Sequence, residues 1–187
     1  MASTEQLLTD LVKNTDLFAR AKKAGEYESA MQAIATAGLV IRPTTLAAIT
    51  FWNGETPGGM SLVMDRFFTH NLVSTTAQTF FGMWYCVHAN MARPAADITT
   101  LRGTGDGVVG GNVVVVDVGA TVIDDGWFPC GVAGEAEEVG VLPGSIAEWE
   151  VKDRLVVPPG AGLSLQVVAG VVGDTFTTGA SWYRTQL

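Results

Sequence analysis

Few residues in this chain could do chemistry, and their spacing limits what that chemistry can be. Cys86 and His88 stand two positions apart, so on an extended strand both would face the same side. Two such side chains fall short of the four ligands that a closed zinc site takes. The other histidine, His70, lies eighteen residues earlier, and no His-x-His pair supplies the converging ligands of a transition-metal site. Gly59-Met60-Ser61-Leu62-Val63 keeps only the first glycine of a G-x-S-x-G nucleophile elbow. The glycine-rich run from Gly103 to Asn112 leads into Val113 to Val118, a strand signal. A phosphate loop needs a lysine and a helix there. We therefore expect no catalytic residue, no metal and no cofactor.

Acidic and aromatic residues offer binding instead. Asp124, Asp125, Glu135, Glu137 and Glu138 crowd one stretch, and clustered carboxylates can hold calcium. The ordered acidic loop with its fixed glycine is missing, so these five read as solvated charges on an exposed acidic face. Trp127 lies within this stretch, between Gly126 and Phe128-Pro129. Of the five tryptophans (Trp52, Trp84, Trp127, Trp149, Trp182) it is the candidate exposed aromatic, able to stack on a glycan. Two or three of the five suit a core or a subunit interface.

The composition behind these residues is unusual. Lys and Arg number 11 and Asp and Glu 19, or 16% of 187 residues, where ordinary domains carry roughly 25%. The net charge is −8, which argues against a nucleic-acid binder, since that needs clustered bases. Residues 121–150 hold seven acids and no base, so the acidity is local. Two stretches, 67–92 and 155–173, hold no acid, lysine or arginine. Neither reads as a membrane span: the first contains His70, Asn71, Gln78, His88 and Asn90, and the second is broken by Pro158-Pro159 and several glycines. A chain so short of charge is expected to have part of its surface covered by a partner.

The elements that must position these residues change in kind near residue 44. Leu7, Leu8, Leu11, Val12 and Phe18 recur at helical spacing, and Lys22-Lys23 followed by Gly25 makes a helix stop. A second short helix is expected from about Glu26 to Ala37, with Tyr27, Met31 and Ile34 on one side. Residues 1–43 thus read as a helical arm and linker. Beyond them, short runs of Val, Ile, Phe, Trp and Thr alternate with Gly, Pro, Asn and Asp, the pattern of an all-β domain over 44–187. Strands are expected at 46–52, 61–72, 78–90, 112–118, 120–123, 136–142, 146–151, 153–157, 162–170 and 175–184. The expected class is mainly β: an antiparallel β-sandwich, jelly-roll-like, with a short N-terminal helical arm.

The C-terminal third carries a resemblance. Arg154-Leu155-Val156-Val157-Pro158-Pro159-Gly160-Ala161-Gly162-Leu163-Ser164-Leu165-Gln166 reads as strand, tight turn, strand. Gly173-Asp174-Thr175-Phe176 and Gly179-Ala180-Ser181-Trp182-Tyr183 follow. This ending resembles the closing hairpin of small jelly-roll structural proteins in the virions of tailed bacteriophages. Leu46 to Gly54 and Ser61 to Phe68 are similar to the same group, and the resemblance spans roughly 44–187. It implies a virion component, a homotrimer, with no active-site residues to carry over. The expected role is a capsid decoration or cement protein on the head surface, partnered by itself and by the major capsid protein. The apolar stripe Leu7, Leu8, Leu11, Val12 and Phe18 is then a candidate docking arm. The alternatives are a receptor- or glycan-binding fibre module and a head-to-tail or tail component.

Overall fold

The computed structural model describes residues 27–74, 80–95, 101–102, 114–119, 126–133 and 144–186. Among them the chain is mainly β, with no helix, and its strands form two antiparallel sheets. In chain order these are β1 (Tyr27–Met31), β2 (Thr36–Ala37), β3 (Ile49–Asn53), β4 (Ser61–Val73), β5 (Phe81–His88), β6 (Leu101–Arg102), β7 (Val114–Val118), β8 (Phe128–Ala133), β9 (Ile146–Val157), β10 (Gly162–Ala169) and β11 (Thr175–Thr185). The six-stranded sheet runs β6-β1-β11-β4-β9, with β2 also on β11; the five-stranded sheet runs β7-β3-β10-β5-β8.

Alternation along each strand delivers one apolar set to the space between the sheets. Phe51 on β3, Phe81 on β5 and Leu163 and Leu165 on β10 come from one side. Phe67 on β4 and Phe176 and Trp182 on β11 come from the other. Phe51 meets Trp182 edge-on, with centroids 5.4 Å apart, and Phe81 meets Phe176 at 5.1 Å. Each such fully buried side chain contributes about 1.5–3 kcal/mol relative to exposure.

The longest strand, β4, contains one extra residue. Met64 lies opposite Trp182 and Arg66 opposite Ser181, so Asp65 is left over as a bulge. The inward set therefore switches from Leu62 and Met64 to Phe67, Thr69 and Asn71. On the other side of β4, four residues of β9 (151–154) intervene between the partners of Arg66 and Met64. Lys152 there adopts a φ of 53°, in the left-handed region that few non-glycine residues visit. The expected break between 151 and 153 coincides with this irregularity, within one continuous strand.

Three expectations are corrected. The second helix over 26–37 is absent: Tyr27–Met31 pairs with β11, and Thr36–Ala37 lies beside the start of the same strand. Glu28, Ala30 and Gln32 are all buried, a period of two that sequence reading missed because two of the three are polar. Residues 27–43 therefore contribute to the sheets, so the β region begins before residue 44. The third correction concerns Pro158-Pro159-Gly160. It is a tight turn, with Gly160 at φ 79°, but β9 and β10 do not pair. The turn carries the chain from one sheet to the other, so the ending is not a hairpin. Strands β8 and β1 were not anticipated. The expected strands at 120–123 and 136–142 lie outside the described residues.

Gly179 on β11 permits a close approach. A β-carbon there would stand 2.5 Å from the Ala30 carbonyl oxygen and 2.6 Å from the Phe68 ring. Gly179→Ala is expected to lower stability by about 1–3 kcal/mol through overpacking, seen as a lower urea midpoint at constant m. An unchanged midpoint would mean that β1 and Phe68 yield without cost.

Candidate functional site

The face of the five-stranded sheet that points away from the core carries a buried polar row. Thr50, which alternates with the core residues Ile49 and Phe51, shares a hydrogen bond of 2.9 Å with Ser164 on β10. The same Ser164 hydroxyl lies 2.9 Å from His88 Nε2, and His88 Nδ1 lies 4.0 Å from Cys86 Sγ on β5. Strand register produces this row, because Thr50, Ser164 and Cys86 are direct partners across β3, β10 and β5. Asp117 on β7 is the register partner of Thr50 and is also buried.

Hydroxyl, imidazole and thiol in line can pass protons in chemical principle, but a nucleophile has to meet substrate. Ser164 and Cys86 have no exposed surface, and Ala47, Trp84 and Trp127 pack with Cys86 over this face. What the row does is satisfy buried polar groups between strands. His70, on β4 of the other sheet, takes no part in it. Among the described residues no group of three His, Cys, Asp or Glu side chains could hold a metal ion.

Farther along the same face lies a cavity of about 420 Å³. Phe80, Trp84, Pro129 and Val168 wall it, while Gly82 and Gly131 contribute no side chain. Gly131 is the bulge residue of β8, at φ 56°. Cys130 and Met83 also line it, and among the described residues no charged side chain does. The volume falls within the range of small-ligand pockets, and no described lining residue is charged to orient a polar substrate. The hollow suits an uncharged apolar group. Burial pushes the Cys130 thiol up to about 12, so it stays protonated and unreactive at neutral pH.

This cavity adjoins one end of the sandwich where the uncharged stretches of the sequence converge. At that end β4 finishes, β5, β9 and β11 begin, and the turns after β1 and β10 fold over. Residues 29–41, 67–92 and 155–173 contain no acid, lysine or arginine. Asp174, beside them, is fully buried. Descending β4 and β9 from this end, the first charged side chains are Arg66 and Glu148, paired at 2.7 Å. Exposed apolar side chains stud the end: Ile34 at 77%, Val172 at 73% and Ile146 at 62%, with Leu72, Val73 and Phe80 also exposed.

Trp127, the candidate exposed aromatic, is only 3% exposed. Its indole nitrogen donates to the Thr44 carbonyl at 2.6 Å, and its ring packs with Ala47 and Cys86. Its neighbour Phe128 is 59% exposed and stacks on Tyr85, with centroids 5.8 Å apart. Adjacent residues on an extended chain face opposite ways, and the sequence does not reveal which one turns outward. The candidate arm residues Leu7, Leu8, Leu11, Val12 and Phe18 lie outside the described residues. So do Asp124, Asp125, Glu135, Glu137 and Glu138 of the candidate acidic face, and the Gly103–Gly111 run. Spacing did place Cys86 and His88 on one side of one strand. Thr50 and Ser164 were not foreseen, because isolated hydroxyl residues carry no signal of which strands pair.

No protein-family model matches this chain, and no curated protein matches its sequence.

Two outcomes follow from this geometry. Trp127→Ala should lower stability by about 3–5 kcal/mol, as for other large buried aromatics. Phe128→Ala should cost less than about 1.5 kcal/mol, its stacking contribution; equal losses in thermal unfolding would contradict the assigned burial. Cys130, with its thiol near 12, should react with iodoacetamide at pH 8 about a thousandfold more slowly than an unstructured cysteine. Mass spectrometry of native against unfolded protein measures this. Because the folded thiol holds its proton longer than the unfolded one, this group's contribution makes stability fall as pH rises through the ordinary thiol range.

Proposed function

We propose that this chain is a non-enzymatic virion structural protein that decorates or cements a phage capsid, acting by binding between capsid subunits. The observation that carries this reading is the set of apolar side chains exposed at one end of the sandwich, Ile34, Val172 and Ile146. Large apolar surface left in water marks an interaction site. A ligand that binds only the assembled shell stabilises it against disassembly by mass action. The fold reading that accompanies it is a jelly roll. Strands β1, β11, β4 and β9 in one sheet and β3, β10, β5 and β8 in the other supply the eight strands of that fold. On this reading β2, β6 and β7 are additions.

The ring of Phe128, exposed and stacked on Tyr85, favours a second reading: a fibre or tail module that holds a host glycan by stacking. Copy number separates the two. Quantitative mass spectrometry of purified virions should find hundreds of copies, and purified protein should bind capsids that lack it. A few copies at one vertex would instead favour the fibre or tail module.

A further inference from the structure

We propose that Asn53-Gly54 is a deamidation site that the fold holds silent, and that its conversion in an unfolded chain prevents that chain from refolding. The inference goes beyond the assembly reading and does not depend on it. Of the five asparagines, Asn14, Asn53, Asn71, Asn90 and Asn112, Asn53 is the one followed by glycine; Thr, Leu, Met and Val follow the others. Deamidation begins when the backbone nitrogen of the next residue attacks the side-chain amide carbon. Glycine, with no Cβ, hinders that approach least. The Gly54 nitrogen bonds to Asn53 Cγ, the Cγ–Nδ2 bond breaks, and the Gly54 amide proton leaves with the side-chain nitrogen as ammonia. Water then opens the cyclic imide. Cleavage at Cγ leaves aspartate; cleavage at the backbone carbonyl leaves isoaspartate, with the chain running through the side chain.

In the folded chain both polar atoms of that amide are engaged. Asn53 is 0% exposed. Its Nδ2 donates to the Met60 carbonyl at 3.0 Å and to the Val157 carbonyl at 2.9 Å, while Oδ1 accepts from the Glu55 N–H at 3.1 Å. The backbone is fixed as well: Asn53 N–H donates to Ala161 at 3.0 Å, and the Asn53 carbonyl accepts from Gly160 at 2.8 Å. Turning the amide toward the Gly54 nitrogen breaks these three side-chain bonds in a site with no exposed surface. Reaction therefore requires local opening. The same contacts make the product incompatible with the fold. An aspartate carboxylate has no proton to donate, so it would face the buried Met60 and Val157 carbonyl oxygens unpaired. Isoaspartate inserts an extra backbone carbon at the end of β3. There Asn53 is held to the Pro158-Pro159-Gly160 turn on one side and lies opposite Val114 of β7 on the other.

Peptide mapping of the full chain by mass spectrometry tests this, after incubation at mildly alkaline pH with and without guanidinium chloride above the unfolding midpoint. In denaturant, deamidation should concentrate at Asn53 and give both aspartate and isoaspartate, and Gly54→Ala should slow it at least about tenfold. Folded protein should convert at least about thirtyfold more slowly than unfolded protein. When the denaturant is removed, unmodified chains should recover native near-ultraviolet circular dichroism, and converted chains should stay in the unfolded or aggregated fraction. Asn53→Asp should have a lower denaturant midpoint than the parent chain. Failure of Asn53→Asp to fold agrees with the proposal, and fractionation of the partly converted parent chain decides the point independently. Equal conversion rates of folded and unfolded protein overturn the proposal. So do converted chains that refold with the yield and midpoint of unmodified ones.

Discussion

The contact of Phe51 with Trp182 sets the terms for the rest of the molecule. It joins the two sheets at 5.4 Å, and it buries an indole N–H away from the surface. That donor needs an acceptor, which Glu28 on β1 supplies through Oε2 at 3.1 Å. A carboxylate with 1% exposure in turn needs a cation. Arg184 Nε lies 3.0 Å from Glu28 Oε1 and its Nη1 3.9 Å from Glu55. The Nε–Oε1 approach is a charge contact whose N–H does not point along the line of a hydrogen bond. One tryptophan thus ties β1, the end of β11 and the segment after β3 into a single arrangement. Removing Arg184 would leave the Glu28 carboxylate buried without that cation.

The opposite end of the core follows the same rule with neutral groups. Gln32 accepts from the Thr178 N–H at 2.8 Å and donates to the Ala48 carbonyl at 2.7 Å. Thr69 and Thr178 share a hydrogen bond of 3.1 Å across β4 and β11. Back at the Glu55 end, Asn53 closes the turn region near β9 and β10 by donating to Met60 and Val157 and accepting from the Glu55 N–H. A chain with few charges satisfies its interior polar groups through amides, hydroxyls and one imidazole. The row Thr50–Ser164–His88 satisfies buried polar groups in the same way.

Function enters on our reading where that inward satisfaction stops. The end formed by the turns after β1 and β10 exposes apolar side chains, and those two turns expose no charged side chain among the described residues. The wall of the adjoining cavity is apolar as well. Surface of this kind is stable in an assembly that covers it.

The sequence by itself determined the mainly β class, most strand positions and the turns at Pro158-Pro159-Gly160 and Gly173-Asp174. These depend on local propensity and on glycine's access to positive φ, which neighbouring residues decide. It also placed the uncharged stretches, since charge is read directly from residue type. Only the tertiary structure decided that Glu28 and Gln32 point inward, that Trp127 is buried while Phe128 is exposed, and that β9 and β10 belong to different sheets. Strand period is two for either orientation, and a buried polar residue looks like an exposed one until its partner is known. Trp182 and Thr178, which hold Glu28 and Gln32 inside, lie about 150 residues away along the chain. Three stretches without charge, far apart in sequence, become one surface only when the sheets bring their ends together.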